Sequence, residues 1–314
     1  MNDPQGPVFD NEGIISQRGL KNSLDLTRPY DWLVEKEISA KGINEDTGII
    51  FLSNKECSFK CLMCDLWKNT SDFPTPVGAI PEQIRWALSK MPASKHLKLY
   101  NSGSFFDNKA IPELDDQAIA DLVQDFETII VESHPNLIGE RCVRFKDKLN
   151  PDLEVAIGLE TVHREVLKKL NKKMTLEDFQ KGISFLTAHG IQSRAFILLR
   201  PPFMSETEGV YWAKRSIDFA FECGVSSCTI IPVRGGNGAM EVLARQGNFN
   251  PPSIESLDEV HAYGLDLQAG RVFSDLWDLE LFSDCSNCFE ERRSRLKKMN
   301  LQNKITDKLN CLGC

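Results

Sequence analysis

Short apolar segments alternate with longer amphipathic segments about six times between residues 46 and 270. The apolar segments are at most seven residues long and rich in branched and aromatic side chains, as in strands buried on both faces. They are residues 48–53, 96–101, 128–132, 154–159, 193–199 and 228–233. Helical patterns lie between them, at residues 81–91, 117–126, 176–189, 206–223 and 251–269. This order implies parallel strands with crossover helices, and it predicts an α/β fold, a partial (β/α)6 TIM-like barrel.

The pattern changes on both sides of this region, which divides the chain into three parts. Residues 1–45 are mixed and polar without a clear period, so we interpret them as an N-terminal extension. Residues 46–270 are the predicted partial barrel. Residues 271–314 carry paired cysteines and a basic run, and they predict a small Cys-rich extension organised around metal.

The composition indicates in which compartment the protein works and which classes of partner are disfavoured. The 314 residues are 41% hydrophobic and 26% charged, and the formal net charge is −8. No apolar run approaches the ~20 residues that span a bilayer, and the first residues lack a secretory pattern. We therefore expect a cytoplasmic protein without a membrane partner. The acidic balance disfavours a protein that coats nucleic acid non-specifically, although it allows a local basic patch.

Three of the ten cysteines follow the first predicted strand closely, at Cys57, Cys61 and Cys64. In a reducing compartment, clustered cysteines bind metal more often than they form disulfides. The C-x-x-x-C-x-x-C spacing places three thiolates on one short loop, within reach of three irons of a [4Fe–4S] cubane. The fourth iron would then lack a protein ligand, and an open coordination site is what metal catalysis requires. The alternative is a zinc loop, which would need a fourth ligand nearby.

Polar residues follow the second to fifth strands, where parallel barrels place their chemistry. The second strand ends at Ser102 and Gly103, and the third and fourth end at Glu132 and Glu160. Arg200 follows the fifth strand, and its planar guanidinium suits bidentate binding of a carboxylate. A charge at these strand ends is costly unless it meets a ligand or solvent, or caps the local structure.

The cysteine spacing, its position after the first strand and the repeated (β/α) order together resemble the radical S-adenosylmethionine (SAM) superfamily. The Ser-Gly-Ser-Phe form at residues 102–105 and the sequence of residues 154–203 are similar to one branch of it. That branch contains the archaeosine-forming radical SAM enzyme and the elongator catalytic subunit. The resemblance covers roughly residues 45–240. Ser104 stands where a Glu is common in the superfamily, so the usual Gly-Gly-Glu pattern is altered.

The resemblance implies two cofactors, a [4Fe–4S] cluster on the three cysteines and SAM on the cluster's open iron. It implies reductive cleavage of SAM to a 5′-deoxyadenosyl radical that abstracts hydrogen from carbon. It also implies an electron donor such as flavodoxin or ferredoxin. The residues expected to bind SAM are Ser102, Gly103, Glu132, Glu160 and Arg200.

Four further cysteines form two C-x-x-C pairs, Cys285 with Cys288 and Cys311 with Cys314. This arrangement is near that of zinc ribbons, in which four thiolates hold one Zn²⁺. The same ligands also suit a second, auxiliary Fe–S cluster, and their spacing leaves both open. The basic residues between the pairs, from Arg292 to Lys308, fit either a solvated helix face or an RNA phosphate contact.

Three functions follow from these patterns. The first is a radical SAM enzyme that modifies tRNA or a nucleoside, which the resembled branch and the basic run favour. The second is a radical SAM enzyme of small-molecule or peptide biosynthesis, which the acidic net charge favours. The third is a non-catalytic Fe–S or zinc protein.

Overall fold

Eight strands of the described residues form one sheet, in the order β1-β2-β5-β6-β7-β8-β9-β10. The computed structural model describes residues 8–309 and Cys311. The strands are β1 (Asp31–Ile38), β2 (Asn44–Phe51), β3 (Asn54–Lys55), β4 (Thr70–Ser71), β5 (His96–Tyr100), β6 (Thr128–Ser133), β7 (Asp152–Glu160), β8 (Gln192–Leu199), β9 (Ser227–Pro232) and β10 (Arg271–Ser274). From β2 to β10 all pairings in this sheet are parallel, and β1 pairs with β2 antiparallel.

Helices lie in the connections between the parallel strands, and one further helix lies before and one after the strands of the sheet. They are α1 (Asn11–Ser16), α2 (Ala79–Leu88), α3 (Asp116–Leu122), α4 (Glu140–Lys146), α5 (Arg164–Lys169), α6 (Leu176–Ala188), α7 (Glu206–Glu222), α8 (Ala239–Arg245), α9 (Ile254–Asp266) and α10 (Phe289–Gln302). Capping boxes begin the two helices that flank β8, with Thr175 and Asp178 at α6 and with Ser205 and Glu208 at α7. Such caps satisfy the first backbone amides of a helix, and each stabilises it by about 1 kcal/mol.

An ion pair across the inside of the sheet shows how strongly the sheet curls. Glu37 on β1 lies 2.5 Å from Arg194 on β8, although four strands separate them in sheet order. In a flat sheet, strands ~4.8 Å apart would put these two backbones about 24 Å from each other. The sheet therefore closes into the predicted partial barrel. The apolar faces of its strands pack on the helices outside.

The inside of the barrel is charged near the amino ends of the parallel strands. Arg194 also lies 2.7 Å from Glu154, and Lys98 lies 2.5 Å from Glu37. Arg271 on β10 lies 2.8 Å from Glu154. Opposite charges thus alternate through this buried layer, which fills the barrel at the end away from the cysteines.

All six strands expected from the sequence are present, and the structure adds β1 and β10 at the two edges. These edge strands lie in the segments that the sequence analysis placed outside residues 46–270. The β1 sequence mixes charged and apolar residues without a clean alternation, and β10 has only four residues. Neither segment carries a period long enough to predict a strand. No helix in the described part of the chain has the length and hydrophobicity needed to cross a membrane.

Candidate functional site

The three clustered cysteines lie on a loop between two very short strands at the carboxyl edge of the sheet. β3 precedes the loop and β4 follows it, and the two strands pair in parallel. Within the loop, the Lys60 ammonium donates a hydrogen bond to the Cys57 carbonyl at 2.6 Å. Leu62, between Cys61 and Cys64, is fully buried among apolar side chains from several elements.

Residues from two distant connections anchor this loop through its backbone. The Leu62 amide donates to the Leu170 carbonyl at 2.8 Å, just after α5. The Asn171 amide group donates to the Lys60 carbonyl at 2.7 Å. Asn237, after β9, donates to the Leu62 carbonyl at 2.6 Å. Because buried amides with satisfied partners resist displacement, the protein itself holds the cysteine loop in position.

The Ser102–Gly103 turn approaches the same loop from the end of β5. A Cβ added to Gly103 would lie 3.2 Å from the Cys57 Cβ, so only glycine permits this approach without displacement. Ser102 is buried and adopts a left-handed backbone conformation with φ of 51°. The structure thus brings Gly103, one of the expected SAM-binding residues, against Cys57, one of the expected cluster ligands.

Glu132 shapes that turn. Its carboxylate accepts a hydrogen bond from the Asn101 amide at 2.8 Å, and the amides of Gly103 and Ser102 also donate to it. Burial raises the pKa of Glu132 to about 7, against the opposing effect of these backbone donors. The carboxylate therefore acts on the turn backbone, beside the position where the sequence analysis expected a SAM contact.

Glu160 forms a buried ion pair with Lys172, a residue that the sequence analysis did not select. The strand pairing of β7 with β8 shifts register between Gly158 and Glu160, and Glu160 has a φ of 65°. Such a bulge re-aims a side chain, here toward Lys172 in the α5–α6 connection. Burial acts to lower the pKa of Lys172, but the charges of Glu160 and Cys61 outweigh it and raise the pKa.

Arg200 is held by groups of the protein at the start of α7. Its guanidinium lies 2.5 Å from the Glu206 carboxylate and donates to the Pro251 carbonyl at 2.7 Å. The Arg200 backbone is left-handed, with φ of 54°. A carboxylate ligand would have to compete with Glu206 for this side chain.

Aromatic rings line the inner face of the sheet near the same edge. Phe51 is at the centre of this group, with ring centroids 5.6 Å from Tyr30, 6.4 Å from Tyr100 and 6.3 Å from Trp277. Phe196 extends the group, 6.4 Å from Tyr100. Trp277 remains about half exposed, at 51%. This aromatic face, formed by the five rings, offers flat apolar surface to a planar molecule.

The sequence of this chain is similar to those of known proteins. No family model matches the sequence. Over about 210 residues, the chain is 30% identical to archaeosine synthase subunit beta of Thermococcus kodakarensis and 27% identical to that of Methanosarcina acetivorans. These alignments cover 64% of this chain, and 64% and 60% of the two relatives. The chain thus spans only about three fifths of the length of the curated relatives that it matches.

Two solved structures share the fold. Elp3 of Methanocaldococcus infernus superposes with a TM-score of 0.51 at 18% identity, over 69% of this chain and 57% of that protein. Methylornithine synthase superposes with a TM-score of 0.51 at 10% identity, over 96% of this chain and 82% of that enzyme. This chain shares the partial-barrel fold of these two proteins. Its core resembles the branch that contains the archaeosine-forming enzyme, as the sequence analysis stated.

The donor set of the cysteine loop fits a [4Fe–4S] cluster. Burial raises the pKa of Cys61 and Cys57, and it raises the pKa of Cys64 to about 12. Such thiols release their protons when a cation replaces the lost hydration, as bound iron does. Lys172 adds a positive charge near Cys61. Cys57, Cys61 and Cys64 would therefore hold the cluster.

The C-terminal cysteines of this chain form a second group. Cys285, Cys288 and Cys311 have sulfur atoms that all lie within 4.8 Å of one another. Both C-x-x-C pairs, here called knuckles, therefore contribute to this group. Cys314 lies outside the described residues. In the basic run between the knuckles, Arg292 and Arg295 are buried in ion pairs with acidic residues of α9, which leaves them unable to contact RNA.

Proposed function

We propose that this chain is a radical SAM enzyme with its active site at the cysteine loop. One observation carries the proposal: three cysteines lie on a half-buried loop at the carboxyl edge of a parallel barrel, and groups from distant connections anchor this loop through its backbone. Cys57, Cys61 and Cys64 would hold a [4Fe–4S] cluster, and SAM would bind beside it. The reduced cluster would supply the electron for reductive cleavage of SAM to methionine and a 5′-deoxyadenosyl radical, which would abstract hydrogen from a carbon of the substrate.

The residues proposed to bind SAM are Ser102, Gly103, Glu132, Glu160 and Arg200. The turn at Gly103 supports this role because it lies directly against Cys57. Glu132 supports it by fixing that turn, and Glu160 by its pairing with Lys172. Arg200 has weaker support, since Glu206 already binds its guanidinium.

Production of 5′-deoxyadenosine tests the activity. The chain is reconstituted anaerobically with iron and sulfide, reduced with dithionite or flavodoxin, and incubated with SAM. We expect 5′-deoxyadenosine from the wild type and from Cys223→Ala, a half-buried cysteine on the far side of the barrel wall, but none from Cys61→Ala. A reconstituted wild type that binds iron but makes no 5′-deoxyadenosine would contradict the proposal and favour a non-catalytic Fe–S or zinc protein.

For the substrate, we propose a nucleoside, free or within tRNA. The two relatives carry the name archaeosine synthase subunit beta, and archaeosine is a modified nucleoside. The aromatic face offers stacking partners for a base that has left its helix. A small molecule or peptide remains the second candidate, because the net charge is −8 and two arginines of the basic run point inward.

Binding of tRNA at different salt concentrations separates these substrates. Affinity that falls steeply as salt rises would support tRNA, because phosphate contacts release counterions. Phe196→Leu should weaken binding of a stacked base by ~1–3 kcal/mol. Absence of binding at low salt would contradict a tRNA substrate, and a free nucleoside or another small molecule would then be tested for consumption of SAM.

The domain organisation and the electron donor are part of the same proposal. We propose an N-terminal extension up to about residue 45, a radical SAM barrel up to about residue 270 and a metal-binding extension after it. β1 and β10, from the two flanking parts, add the edge strands of the barrel sheet. A flavodoxin or ferredoxin would supply the electron.

A further inference from the structure

The distances between the sulfur atoms of the C-terminal cysteines distinguish a zinc ion from an Fe–S cluster, the two alternatives that the sequence leaves open. The Cys285 and Cys311 sulfurs lie 3.8 Å apart, and the Cys288 sulfur lies within 4.8 Å of both. With Zn–S bonds of ~2.3 Å, two sulfurs on one tetrahedral ion are ~3.8 Å apart. In a [4Fe–4S] cluster each cysteine binds a different iron, so the sulfurs lie on separate metal atoms. The observed spacing therefore matches a single ion.

Positively charged groups lie close to the Cys288 sulfur. Cys288 is 2% exposed and is the N-cap residue of α10, a helix of 14 residues whose amino end carries partial positive charge. The Arg292 guanidinium, one turn later, donates a hydrogen bond to its sulfur at 3.3 Å. Hydrogen bonds to metal ligands of this kind orient the ligand and stabilise its charge.

The fold brings the two knuckles together by turning the chain back along α10. Arg295 donates to the carbonyls of Asp307 and Thr306, at 2.7 and 2.9 Å, and so binds the returning segment to the helix. This segment carries Cys311 to the start of α10, where Cys285 and Cys288 lie. Arg292 also lies 3.0 Å from Glu255, which ties the same site to α9 of the barrel.

We propose that Cys285, Cys288 and Cys311 bind one structural Zn²⁺ ion, and that this site holds no auxiliary Fe–S cluster. Structural zinc is four-coordinate, so these three sulfurs leave one position for a further ligand. The ion joins residues on both sides of α10 and secures the C-terminal segment against the barrel. This inference concerns a different site from the proposed active site and does not depend on it.

Metal counting on the full chain tests the inference. After cluster reconstitution, we expect about one zinc and about four irons per chain in the wild type. The double variant Cys285→Ser/Cys288→Ser should lose its zinc and keep about four irons. Cys61→Ala should lose its irons and keep its zinc, and Cys223→Ser should keep both metals. About eight irons in the wild type, falling to about four in the double variant, would overturn the inference.

Cobalt substitution tests the site without a mutation, in case the double variant fails to fold. Co²⁺ exchanged into the purified wild-type chain should show the intense visible bands and thiolate charge-transfer absorption of a tetrahedral sulfur site. Weak absorption typical of oxygen ligands would overturn the inference. Formation of 5′-deoxyadenosine is measured on the same sample. A sample that makes this product but lacks the cobalt–thiolate spectrum would disprove the zinc site alone, and the opposite result would disprove only the proposed enzyme activity.

Discussion

The two cysteine groups use the same ligand atom in opposite structural settings. The N-terminal loop presents three cysteines, and contacts from other parts of the fold position it from outside. The C-terminal group combines two knuckles around the beginning of one helix, with sulfurs close enough for a single ion. Hydrogen bonds from distant connections therefore position the first group, whereas the return of the chain along α10 assembles the second. Both groups contain a C-x-x-C pair, so tertiary contacts, and not the spacing of cysteines in the sequence, distinguish them.

The largest expected effect is a loss of stability, and it concerns the buried ion pair between Glu160 and Lys172 beside the N-terminal loop. Lys172→Met leaves the Glu160 carboxylate buried without its partner, which should lower the free energy of unfolding by about 3–5 kcal/mol. The double variant Glu160→Gln/Lys172→Met removes both charges and should recover most of that loss. Urea denaturation measures the free energy of unfolding of both variants.

Lys173→Met, at the exposed neighbouring lysine, is the matched control and should change stability little. If Lys172→Met behaved like Lys173→Met, the pair would not stabilise the site as described.

The next effect concerns the C-terminal group. Arg292→Met removes the hydrogen bond to the Cys288 sulfur and should weaken zinc binding by ~10–100-fold. Competition with a chromogenic chelator measures the affinity. Arg293→Met removes an exposed arginine of the same helix and serves as the control. Equal affinities for the two variants would show that the hydrogen bond does not support the metal site.

A smaller effect tests the close approach of the turn to the N-terminal loop. Gly103→Ala adds a Cβ at 3.2 Å from the Cys57 Cβ, so the loop must shift by a few tenths of an ångström. Since small displacements of reacting groups are costly, 5′-deoxyadenosine formation should fall by ~10-fold or more with the zinc content unchanged. Gly19→Ala, where an added Cβ meets no atom within 4 Å, should leave both unchanged. A fully active Gly103→Ala variant would argue against this contact.

The last effect is a dependence of stability on pH. Burial raises the pKa of Glu132 from 4.5 to about 7, so the folded state binds a proton that the unfolded state has lost between these values. The stabilising contribution of Glu132 is complete below pH 4.5 and is lost as the pH rises through 7. The wild type should therefore lose stability relative to Glu132→Gln over this interval.

The difference in free energy of unfolding between the wild type and Glu132→Gln isolates the effect of Glu132. The comparison is needed because burial lowers the pKa of His134 to about 4, which makes stability rise with pH and so opposes the effect of Glu132. Urea denaturation at several pH values measures this difference. Glu291→Gln, on the exposed face of α10, is the control. A difference between wild type and Glu132→Gln that is constant with pH would contradict the assignment.

Much of the fold could be predicted because buried parallel strands carry a continuous apolar signal. All six predicted strands are present, in the expected order. Lys172 and Asn237 were missed because their importance comes from partners far away in the chain. Asn237, for example, contacts Leu62 across 175 residues. No local period marks such a residue, since its neighbours in sequence belong to an ordinary connection.

The sequence by itself determined the ligand chemistry, namely two sets of thiols and a series of polar residues at the ends of apolar strands. Only the tertiary structure decided how those groups are used. It directs Glu132 to the Ser102–Gly103 turn and Arg200 to Glu206, and it brings Cys311 to within 3.8 Å of Cys285. The physical reason is that spacing within a C-x-x-C pair is local, whereas the distance between pairs depends on how α10 and the returning chain pack.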